Sequence, residues 1–538
     1  MTLREQLDGA VQERGQDLID SLSTSGFKQL FSPDRQLLNW VIKRPQIKSS
    51  LFRLVDVLPA LDAPEDVIDH LRAYLSISEG ADSLPRWIRW GLESSDLRMV
   101  PDGVVARTAK WSVKQLADRF IAGSTPAELK AEVKQLEGEG FAVSIDRLGE
   151  EVIAESEAEA YQKAYLSILK DLDGLEESVT ARARGRSLSV KLTALDSQFD
   201  PVARNATLDR LEERVMPILR EAKDRDIIVY FDMEQDDSRE ITLELARRLL
   251  RKDLFEDWND LGLVIQAYHK NSYSDCQNLL EWCQEHDRRI WIRLVKGAYW
   301  DSERIRAYRN NWEVPVYEAK GRTDWNYERL ARLLGEYHPV ARPAFGSHNL
   351  RSLAYGSTVA DYFDLPRRDW ELQMLYGMGE PIQRLMKDRD RPVRLYVPYG
   401  ELVPGMAYLV CRLLENTSNQ SFLRQTFHES GSTEDPMAAP DKEEVPASAP
   451  RREGYQSVGP QNFNRADEVS DQDTALRRVY RKLGMDYPLR VDGEWTSGDG
   501  WVRSYNPSRS DELVGRIGRV GETELEQALS TSDRVFPD

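Results

Sequence analysis

The 538-residue chain carries 73 basic and 91 acidic side chains, and its net charge of −18 argues against nonspecific binding to nucleic acid. It shows no N-terminal targeting signal and no run of about 18 apolar residues, so we predict no membrane span, although peripheral contact with a membrane stays open. Cys276, Cys283 and Cys411 form no CxxC pair and no even framework, which indicates the reducing cytoplasm.

Residues 1–135 are predicted to form a helical arm and subdomain. Apolar residues recur every three or four positions in DVIDHLRAYL and SVKQLADRFI, and strand-like runs are scarce. The opening segment, MTLREQLDGAVQERGQDLID, has the pattern of an acidic amphipathic helix. We therefore expect a helix there rather than a DNA-binding module.

In residues 136–428, short apolar or β-branched runs alternate with helical stretches. The runs lie at 141–146, 187–192, 227–232, 261–266, 290–296, 341–347, 371–376 and 393–398. Eight such alternations predict an α/β fold, namely a (β/α)8 TIM-like barrel. A doubly wound sheet is the alternative architecture. It normally has fewer strands, and a dinucleotide-binding version would carry a GxGxxG turn, which the sequence lacks.

Residues 429–484 are of low complexity and predict a flexible linker with one short helix, DTALRRVYRKL. Residues 485–538 resemble the start of an aldehyde dehydrogenase, with a small strand pair, an Asn-Pro turn and a helix starting at Thr523. About fifty residues with few large apolar groups are too few for an independent domain. We therefore interpret this part as the N-terminal fragment of a truncated second enzyme, without aldehyde dehydrogenase activity of its own.

Polar residues cluster at the C-terminal ends of the predicted strands, where barrel enzymes place their catalytic groups. They are Asp146, Lys191, Asp232, Gln266, Arg293, Lys296, His348, Asn349 and Tyr396. The alternative is that each one simply reaches solvent. Lys191 lies within the apolar run SVKLTAL and needs a counter-charge, because a lone buried charge is costly; Asp146 or Asp232 could supply it.

The fifth predicted strand runs into RLVKGAYW. Arg293 and Lys296 could hold an anion such as a pyrophosphate, and Tyr299 or Trp300 could stack on a flat ring. The glycine between them would let the backbone approach a ligand closely. Basic residues at a strand end beside core aromatics are the alternative interpretation.

The segment GMAYLVCRLLEN follows the eighth strand and is helical in pattern. Tyr408, Arg412 and Glu415 would share one face of that helix. Arginine suits a carboxylate because its fork donates two parallel hydrogen bonds, although a surface Arg–Glu pair fits the pattern as well. No spacing of Cys, His or carboxylate residues indicates a metal site.

Eight segments in this order resemble the proline dehydrogenase domain of bifunctional proline-utilisation flavoproteins: SVKLTAL, FDMEQ, VIQAYHK, IRLVKGAYWDSE, SHN, LYGMGEP, RLYVPYG and YLVCRLLENTSNQSF. The resemblance spans about residues 1–428. It implies FAD across the barrel mouth, oxidation of L-proline to pyrroline-5-carboxylate as the first step of proline catabolism to glutamate, and transfer of electrons to a membrane quinone. No nucleic-acid partner is expected, and assembly into a homo-oligomer stays open.

The resemblance also implies roles for individual residues. The positions that match flavin-binding positions of the family are Gln266, Arg293, Lys296, Thr323, His348 and Asn349. The positions that match the surroundings of proline are Lys191, Asp232, Tyr299, Leu375, Tyr396, Tyr408, Arg412 and Glu415. Among these, Arg412 would bind the proline carboxylate, and Leu375, Tyr396 and Tyr408 would pack on the ring.

One position departs from the family pattern YLVRRLLEN, because this chain has Cys411 before Arg412. The missing arginine would bind the carboxylate and pair with a glutamate that matches Glu150, and cysteine can do neither. The departure leaves two alternatives open. One is a flavoenzyme retuned for another cyclic or N-substituted amino acid, and the other is a noncatalytic barrel scaffold.

Overall fold

The computed structural model describes residues 3–25, 63–76, 119–149, 152–173, 183–401, 435–440 and 459–536, together with the isolated positions 53, 57, 60, 61, 107 and 175. The chain forms two compact units, Met1–Pro460 and Gln461–Asp538.

The first unit is built on a closed barrel of eight parallel strands. In chain order they are β1 (Ala142–Arg147), β2 (Ser187–Val190), β3 (Ile228–Phe231), β4 (Leu261–Gln266), β5 (Ile290–Val295), β6 (Ala341–Gly346), β7 (Glu371–Leu375) and β8 (Val393–Tyr399). Each strand pairs with its sequence neighbours, and β8 closes on β1 with Ala142 beside Arg394. The predicted (β/α)8 barrel is confirmed, and the doubly wound alternative is wrong.

Helices cover the outside of the barrel, which is why strands such as β4 are buried along their whole length. The described helices of this unit are α1 (Leu3–Ser25), α2 (Pro64–Ser76), α3 (Pro126–Gly138), α4 (Glu155–Asp171), α5 (Arg204–Lys223), α6 (Asp236–Leu250), α7 (Ser272–Glu285), α8 (Trp300–Asn310), α9 (Lys320–Glu336), α10 (Leu350–Tyr362) and α11 (Glu380–Asp388). In α7 the apolar stripe includes Cys276 and Cys283, both fully buried.

A buried ion pair lies at the end of the barrel where the strands begin. The side chains of Arg394 and Glu371 are both 0% exposed, and Arg394 Nε lies 2.7 Å from Glu371 Oε1. Arg394 also donates to the backbone carbonyls of Val143 and Gly185, each at 2.8 Å. A small apolar cluster inside the barrel consists of Ile228, Tyr230, Trp291 and Ala344. The lumen is therefore a packed core at this end, as the barrel architecture requires.

The N-terminal helix α1 and residues 435–440 pack together against α10. Arg351 of α10 donates to Asp8 of α1 at 2.7 Å, to the carbonyl of Met437 at 2.6 Å and to Glu328 of α9 at 2.6 Å. Met437 is 3% exposed, and a side chain at Gly15 of α1 would collide with it. The predicted N-terminal amphipathic helix is confirmed. At 435–440 the structure differs from the predicted flexible linker, because this segment packs against α1 and α10.

The second unit contains two small sheets and two helices. Its elements are α12 (Ala466–Tyr480), β9 (Met485–Tyr487), β10 (Leu489–Val491), β11 (Glu494–Thr496), β12 (Trp501–Asn506), β13 (Arg509–Gly518) and α13 (Glu522–Val535). β12, β13 and β9 form one sheet, and β10 and β11 form the other. The predicted helix near Thr523 is present, whereas the helix predicted over DTALRRVYRKL begins earlier. Neither α12 nor α13 has a buried residue.

The Arg394–Glu371 pair gives a stability prediction. Glu371→Gln should lower the free energy of unfolding by about 3–5 kcal/mol, because it leaves Arg394 charged and unpaired in a buried site. The control Arg367→Ala removes an ion pair with Asp390 whose side chains are 52% and 55% exposed, and it should cost at most about 1 kcal/mol. Urea unfolding followed by circular dichroism measures both; equal midpoints for the two variants would contradict the prediction.

Candidate active site

The C-terminal mouth of the barrel gathers polar side chains in two tiers. Alternate residues of a strand face the same side, so a lumen-facing residue is followed two positions later by another. The lower tier consists of Ser144, Ser189 and Tyr230, and the upper tier consists of Asp146, Lys191 and Asp232. The hydroxyls of Ser144 and Ser189 lie 3.3 Å apart across the lumen side of β1 and β2. Three adjacent strands thus present a continuous polar surface to the interior.

Arg293 of β5 links the two tiers. Its Nη1 donates to Asp232 at 2.8 Å and to Ser189 at 3.0 Å, and its Nη2 donates to Ser144 at 3.1 Å. The guanidinium carbon lies 4.1 Å from the ring centroid of Tyr230, within cation–π range. Arg293 is only 4% exposed, so its charge is neutralised by Asp232 inside the barrel rather than by solvent.

Lys191 is held in a network of acids and tyrosine. Its ammonium donates to Asp146 and lies 3.8 Å from Asp232 Oδ2, and the Tyr396 hydroxyl donates to the same oxygen of Asp232 at 2.8 Å. Burial by itself lowers the pKa of Lys191, but the surrounding acidic groups, Asp146 first, raise it well above its ordinary value. Lys191 therefore remains a fixed cation. The prediction that it needs Asp146 or Asp232 as a counter-charge is confirmed.

Glu234 lies just beyond β3 and is held by neighbours from both adjacent strands. The Gln266 amide donates to the carbonyls of Met233 at 2.9 Å and Glu234 at 3.1 Å. The Thr193 hydroxyl donates to the Glu234 carboxylate at 2.6 Å. Burial first, and then the negative charge of Glu234, raises the pKa of Tyr299 to about 12.

Lys296 follows β5 and pairs with an acid on α9. Its Nζ lies 2.5 Å from Asp324, and Lys320 lies 2.7 Å from the other oxygen of Asp324. Thr323, which is 8% exposed, precedes Asp324 on the same helix. Burial lowers the pKa of Lys296, and Asp324 only partly opposes that shift. Asp324 thus forms ion pairs with two lysines, and the ammonium of Lys296 is poorly solvated.

The glycine of RLVKGAYW is required by the packing of the protein itself. Gly297 has φ +133°, which favours glycine, and a Cβ there would overlap the ring of Tyr268. Its close approach to a ligand stays a prediction. The ring of Trp300 already has protein partners. Its indole N–H donates to the Tyr317 carbonyl at 2.8 Å, and the guanidinium of Arg304 lies 4.1 Å from its ring centroid. Tyr299 is left as the aromatic candidate.

His348 and Asn349 lie after β6. The His348 Nε2 accepts from the backbone N–H of Leu375 at 3.1 Å, so β6 and β7 are joined at the mouth. The Asn349 side-chain oxygen caps α10 by accepting from the backbone N–H of Ser352 at 3.0 Å. Both residues therefore have structural contacts in addition to any ligand contact.

A buried network supports the loop that carries Glu234. Glu303 of α8 accepts from the backbone N–H of Asp236 at 2.7 Å, and His269 donates to the Asp236 carboxylate at 2.7 Å. Arg239 contacts Asp236 at 3.2 Å and Asp275 at 2.5 Å. These contacts fix the start of α6 immediately after the β3 end of the site.

The structure brings most of the sequence-predicted residues to one barrel mouth. These are Lys191, Asp232, Gln266, Arg293, Lys296, Tyr299, Thr323, His348, Asn349, Leu375 and Tyr396. Four predicted residues and one family-matched glutamate lie outside the described residues, namely Tyr408, Cys411, Arg412, Glu415 and Glu150.

Sequence reasoning missed several neighbours, namely Ser144, Thr193, Tyr230, Glu234, Glu303 and Asp324. The signal for the first and third of these was available, because each lies two residues before a strand-end acid and shares its side of the strand.

Within the described ranges, no group of three or more His, Cys, Asp or Glu side chains could hold a metal ion. None of the helices that the structure describes is long and apolar enough to span a membrane.

Comparison with known protein families gives two matches to this chain. The family model for proline dehydrogenase matches residues 129–425, and that for the proline utilization A N-terminal domain matches residues 8–120. The chain belongs to the proline dehydrogenase family. The first match includes the whole strand series of the barrel.

Individual relatives agree with this assignment. The chain is 31% identical over 463 residues to the bifunctional protein PutA of Salmonella typhimurium, covering 81% of this chain and 34% of that one. It is 29% identical over 314 residues to proline dehydrogenase 1 of Bacillus subtilis, and this match covers 57% of this chain and 89% of that one. The chain therefore spans only about a third of the bifunctional relatives, at 34–35% of the first three.

Among solved structures, proline utilization A from Bdellovibrio bacteriovorus, inactivated by N-propargylglycine, has a TM-score of 0.83 and 32% identity. That match covers 98% of this chain and 54% of the other.

The buried Glu303 gives a pH prediction. Burial raises the pKa of Glu303 from 4.5 to about 7. The hydrogen bond from the Asp236 N–H opposes this shift, whereas the negative charges of Asp236 and Asp237 add to it. The folded state binds the proton more tightly than the unfolded chain, so this group stabilises the fold below pH 4.5 and the contribution is lost as the pH rises to about 7.

Glu303→Gln stays neutral and still accepts a hydrogen bond. Its unfolding free energy, relative to the parent protein, should therefore rise by about 1–3 kcal/mol between pH 5 and pH 8. Urea unfolding at the two pH values measures the change. Glu313→Gln, at a side chain 79% exposed, is the control and should show no such change. A pH-independent difference for Glu303→Gln would contradict the raised pKa.

Proposed function

We propose that this chain is an FAD-dependent dehydrogenase that oxidises L-proline to pyrroline-5-carboxylate and passes the electrons to a membrane quinone. The observation that carries the proposal is the Lys191–Asp232–Arg293 network at the mouth of a barrel of this family. Three charged side chains from three strands are held rigidly where barrel enzymes bind their substrates.

The residues at the mouth fit a flavin with its diphosphate. Arg293 and Lys296 are cations on one strand end, and Arg293 Nε is a buried donor without a hydrogen-bond partner in the part of the chain that the structure describes. Gln266 adds a carboxamide, and His348 adds an imidazole on the next strand ends. Cationic and amide donors of this kind suit phosphate oxygens and the polar edge of a flavin ring. Thr323 and Asn349 would complete the flavin contacts.

The other half of the mouth fits a small amino acid. Lys191 supplies a fixed cation for a carboxylate, Tyr396 is oriented by its bond to Asp232, and Leu375 supplies an apolar wall. Tyr299 would lie beside the ring of the substrate. Arg412, with Tyr408 and Glu415, would add the contacts that the family resemblance implies. Holding the substrate in one orientation is itself a large part of catalysis in such a site.

The chemistry assigned to the protein is positioning and charge control. Bound FAD would accept the hydrogen and the electron pair that leave C5 of proline. Asp232 would keep Arg293, Lys191 and the Tyr396 hydroxyl in fixed positions during that step, because it contacts all three. The relative from Bdellovibrio bacteriovorus is inactivated by N-propargylglycine, which is itself a secondary amine, and this supports a site that accepts a secondary amino acid.

The remaining domain assignments are also proposals. We infer that residues 1–135 are an arm and subdomain, that 136–428 are the catalytic barrel, and that 485–538 correspond to the start of an aldehyde dehydrogenase. Supporting the last point, the second unit has the predicted strands and the Asn506 turn, in which Asn506 accepts from Ser508 N–H at 2.9 Å. The 34% coverage of a bifunctional relative fits that interpretation.

The function is tested by the colour of the protein. Protein purified with added FAD should be yellow, and anaerobic addition of proline should bleach it, because the flavin is reduced by the substrate. N-methylglycine tests a retuned specificity and glycine is the negative control. A protein that binds no flavin would contradict the proposal, and bleaching by N-methylglycine but not by proline would favour the retuned enzyme.

The phosphate role of Lys296 gives a sharper prediction. Lys296→Met should weaken FAD affinity roughly 10- to 100-fold, because a charge-assisted hydrogen bond contributes about 1.5–3 kcal/mol. Asp324 would remain neutralised by Lys320 at 2.7 Å, so the variant should still fold. Titration of apoprotein with FAD, followed by flavin fluorescence, measures the affinity.

Lys270→Met is the matched control, because the structure pairs Lys270 with Glu313, whose side chain is 79% exposed. It should leave FAD affinity unchanged. Equal affinities for the Lys296 and Lys270 variants would rule out a phosphate contact at Lys296.

A further inference from the structure

Among the described residues of the barrel mouth, one carboxylate forms no ion pair. Lys191 and Arg293 supply two positive charges, and they are paired with Asp146 and Asp232. Glu234 has no ion pair within the described part of the chain, and its side chain accepts instead from the neutral hydroxyl of Thr193 at 2.6 Å. Within the described ranges, Glu234 is thus the acid of the mouth that forms no ion pair with a cation.

The carboxylate of Glu234 is held in place. Its backbone carbonyl accepts from Gln266 at 3.1 Å, and its side chain is oriented by Thr193, so β4 and the end of β2 both fix it. In the part of the chain that the structure describes, the charged and titratable groups that face it are Lys191 and Asp232 from the strand ends and Tyr299 from the start of α8. A carboxylate fixed in this way can meet a substrate atom repeatedly in one geometry.

Oxidation of a secondary amino acid requires such an acceptor. At neutral pH the substrate nitrogen is an ammonium and has no lone pair to form the new C=N bond. One proton must therefore leave nitrogen before the C5–H bond can break. Asp146 and Asp232 already accept hydrogen bonds from Lys191 and Arg293, so taking up a proton there would break an existing ion pair.

We propose that Glu234 is the general base that removes the proton from the substrate nitrogen; this inference rests on the proposed function. The substrate ammonium transfers one proton to the Glu234 carboxylate, and the nitrogen lone pair becomes available. The C5–H bond then breaks, its hydrogen and electron pair pass to the FAD of the proposed function, and the lone pair forms the C=N bond of the iminium product. Glu234 afterwards releases its proton to solvent.

The surroundings of Glu234 suit a base that works near neutral pH. Burial, only partly opposed by Thr193 and Lys191, raises the pKa of Glu234 above its ordinary value. A raised pKa increases the affinity of the carboxylate for the substrate proton, and matched bases typically contribute about 10²- to 10⁴-fold to rate. Its partial exposure leaves a path for the proton to reach water.

Glu234→Gln is the direct test, because glutamine keeps the size of the side chain and can still accept from Thr193. On FAD-loaded protein at pH 7, kcat/KM for proline should fall by roughly 10²- to 10⁴-fold. The loss should shrink as the pH is raised, since an increasing fraction of free proline then arrives without the extra proton. Affinity for tetrahydrofuran-2-carboxylate, an analogue with no N–H group, should stay within about twofold, and so should FAD affinity.

Two variants separate catalysis from folding. Thr193→Val removes the hydrogen bond to Glu234 but keeps the carboxylate, so it should reduce kcat/KM by only about tenfold. Glu313→Gln, at a 79% exposed side chain, should have no effect. If Glu234→Gln folds poorly, Glu234→Asp is used on the flavin-loaded fraction, and an intermediate rate with the same pH trend would support the base.

The outcomes distinguish this inference from the proposed function. If proline reduces the flavin of the parent protein and of Glu234→Gln at equal rates, the base is elsewhere and the function stands. A loss that does not change with pH, or that equals the loss of analogue affinity, would show a purely structural role and also overturn the inference. If proline fails to reduce the flavin of the parent protein, the proposed function itself fails.

Discussion

The guanidinium of Arg293 is the contact on which the mouth of this barrel depends. It reaches from β5 across the lumen to Ser144 on β1, Ser189 on β2 and Asp232 beyond β3, so one side chain links four strands. A charge that is 4% exposed is stable only if its hydrogen bonds are made, and a buried cation with its partner removed is strongly destabilising. The position of Lys191 is tied to this constraint, because Lys191 lies 3.8 Å from Asp232, which Arg293 also binds.

Charged side chains are paired differently at the two ends of the barrel. At the end where the strands begin, Arg394 and Glu371 neutralise each other in a sealed site, and backbone carbonyls take up the remaining N–H groups of the arginine. At the mouth, pairing is incomplete among the residues that the structure describes, since Glu234 accepts from Thr193 and forms no ion pair with any of them. An ion pair that is fully satisfied can only support the fold, whereas a fixed and unpaired carboxylate can exchange protons.

Elements outside the barrel also rely on buried polar contacts. Arg351 ties α1 and residues 435–440 to α10, and Met437 occupies the space that Gly15 leaves open. The low-complexity composition around residue 437 predicted a linker without packing, because composition reports the average of a segment. A single apolar side chain and one backbone carbonyl were enough to fix this part. Glu303 similarly fixes the loop after β3 through a backbone N–H that no side-chain pattern reveals.

The amino-acid sequence by itself determined the number and order of the strands, because alternating apolar runs and amphipathic helices are local properties; β4 was predicted at 261–266 and is observed there. It also determined that charged groups lie at the strand ends and that Lys191 must have an acidic partner. Only the tertiary structure decided that Asp146 is its hydrogen-bonded partner and that Gly297 packs against the ring of Tyr268. Those contacts join residues from different strands and loops, and their distances are set by the closure and register of the whole barrel.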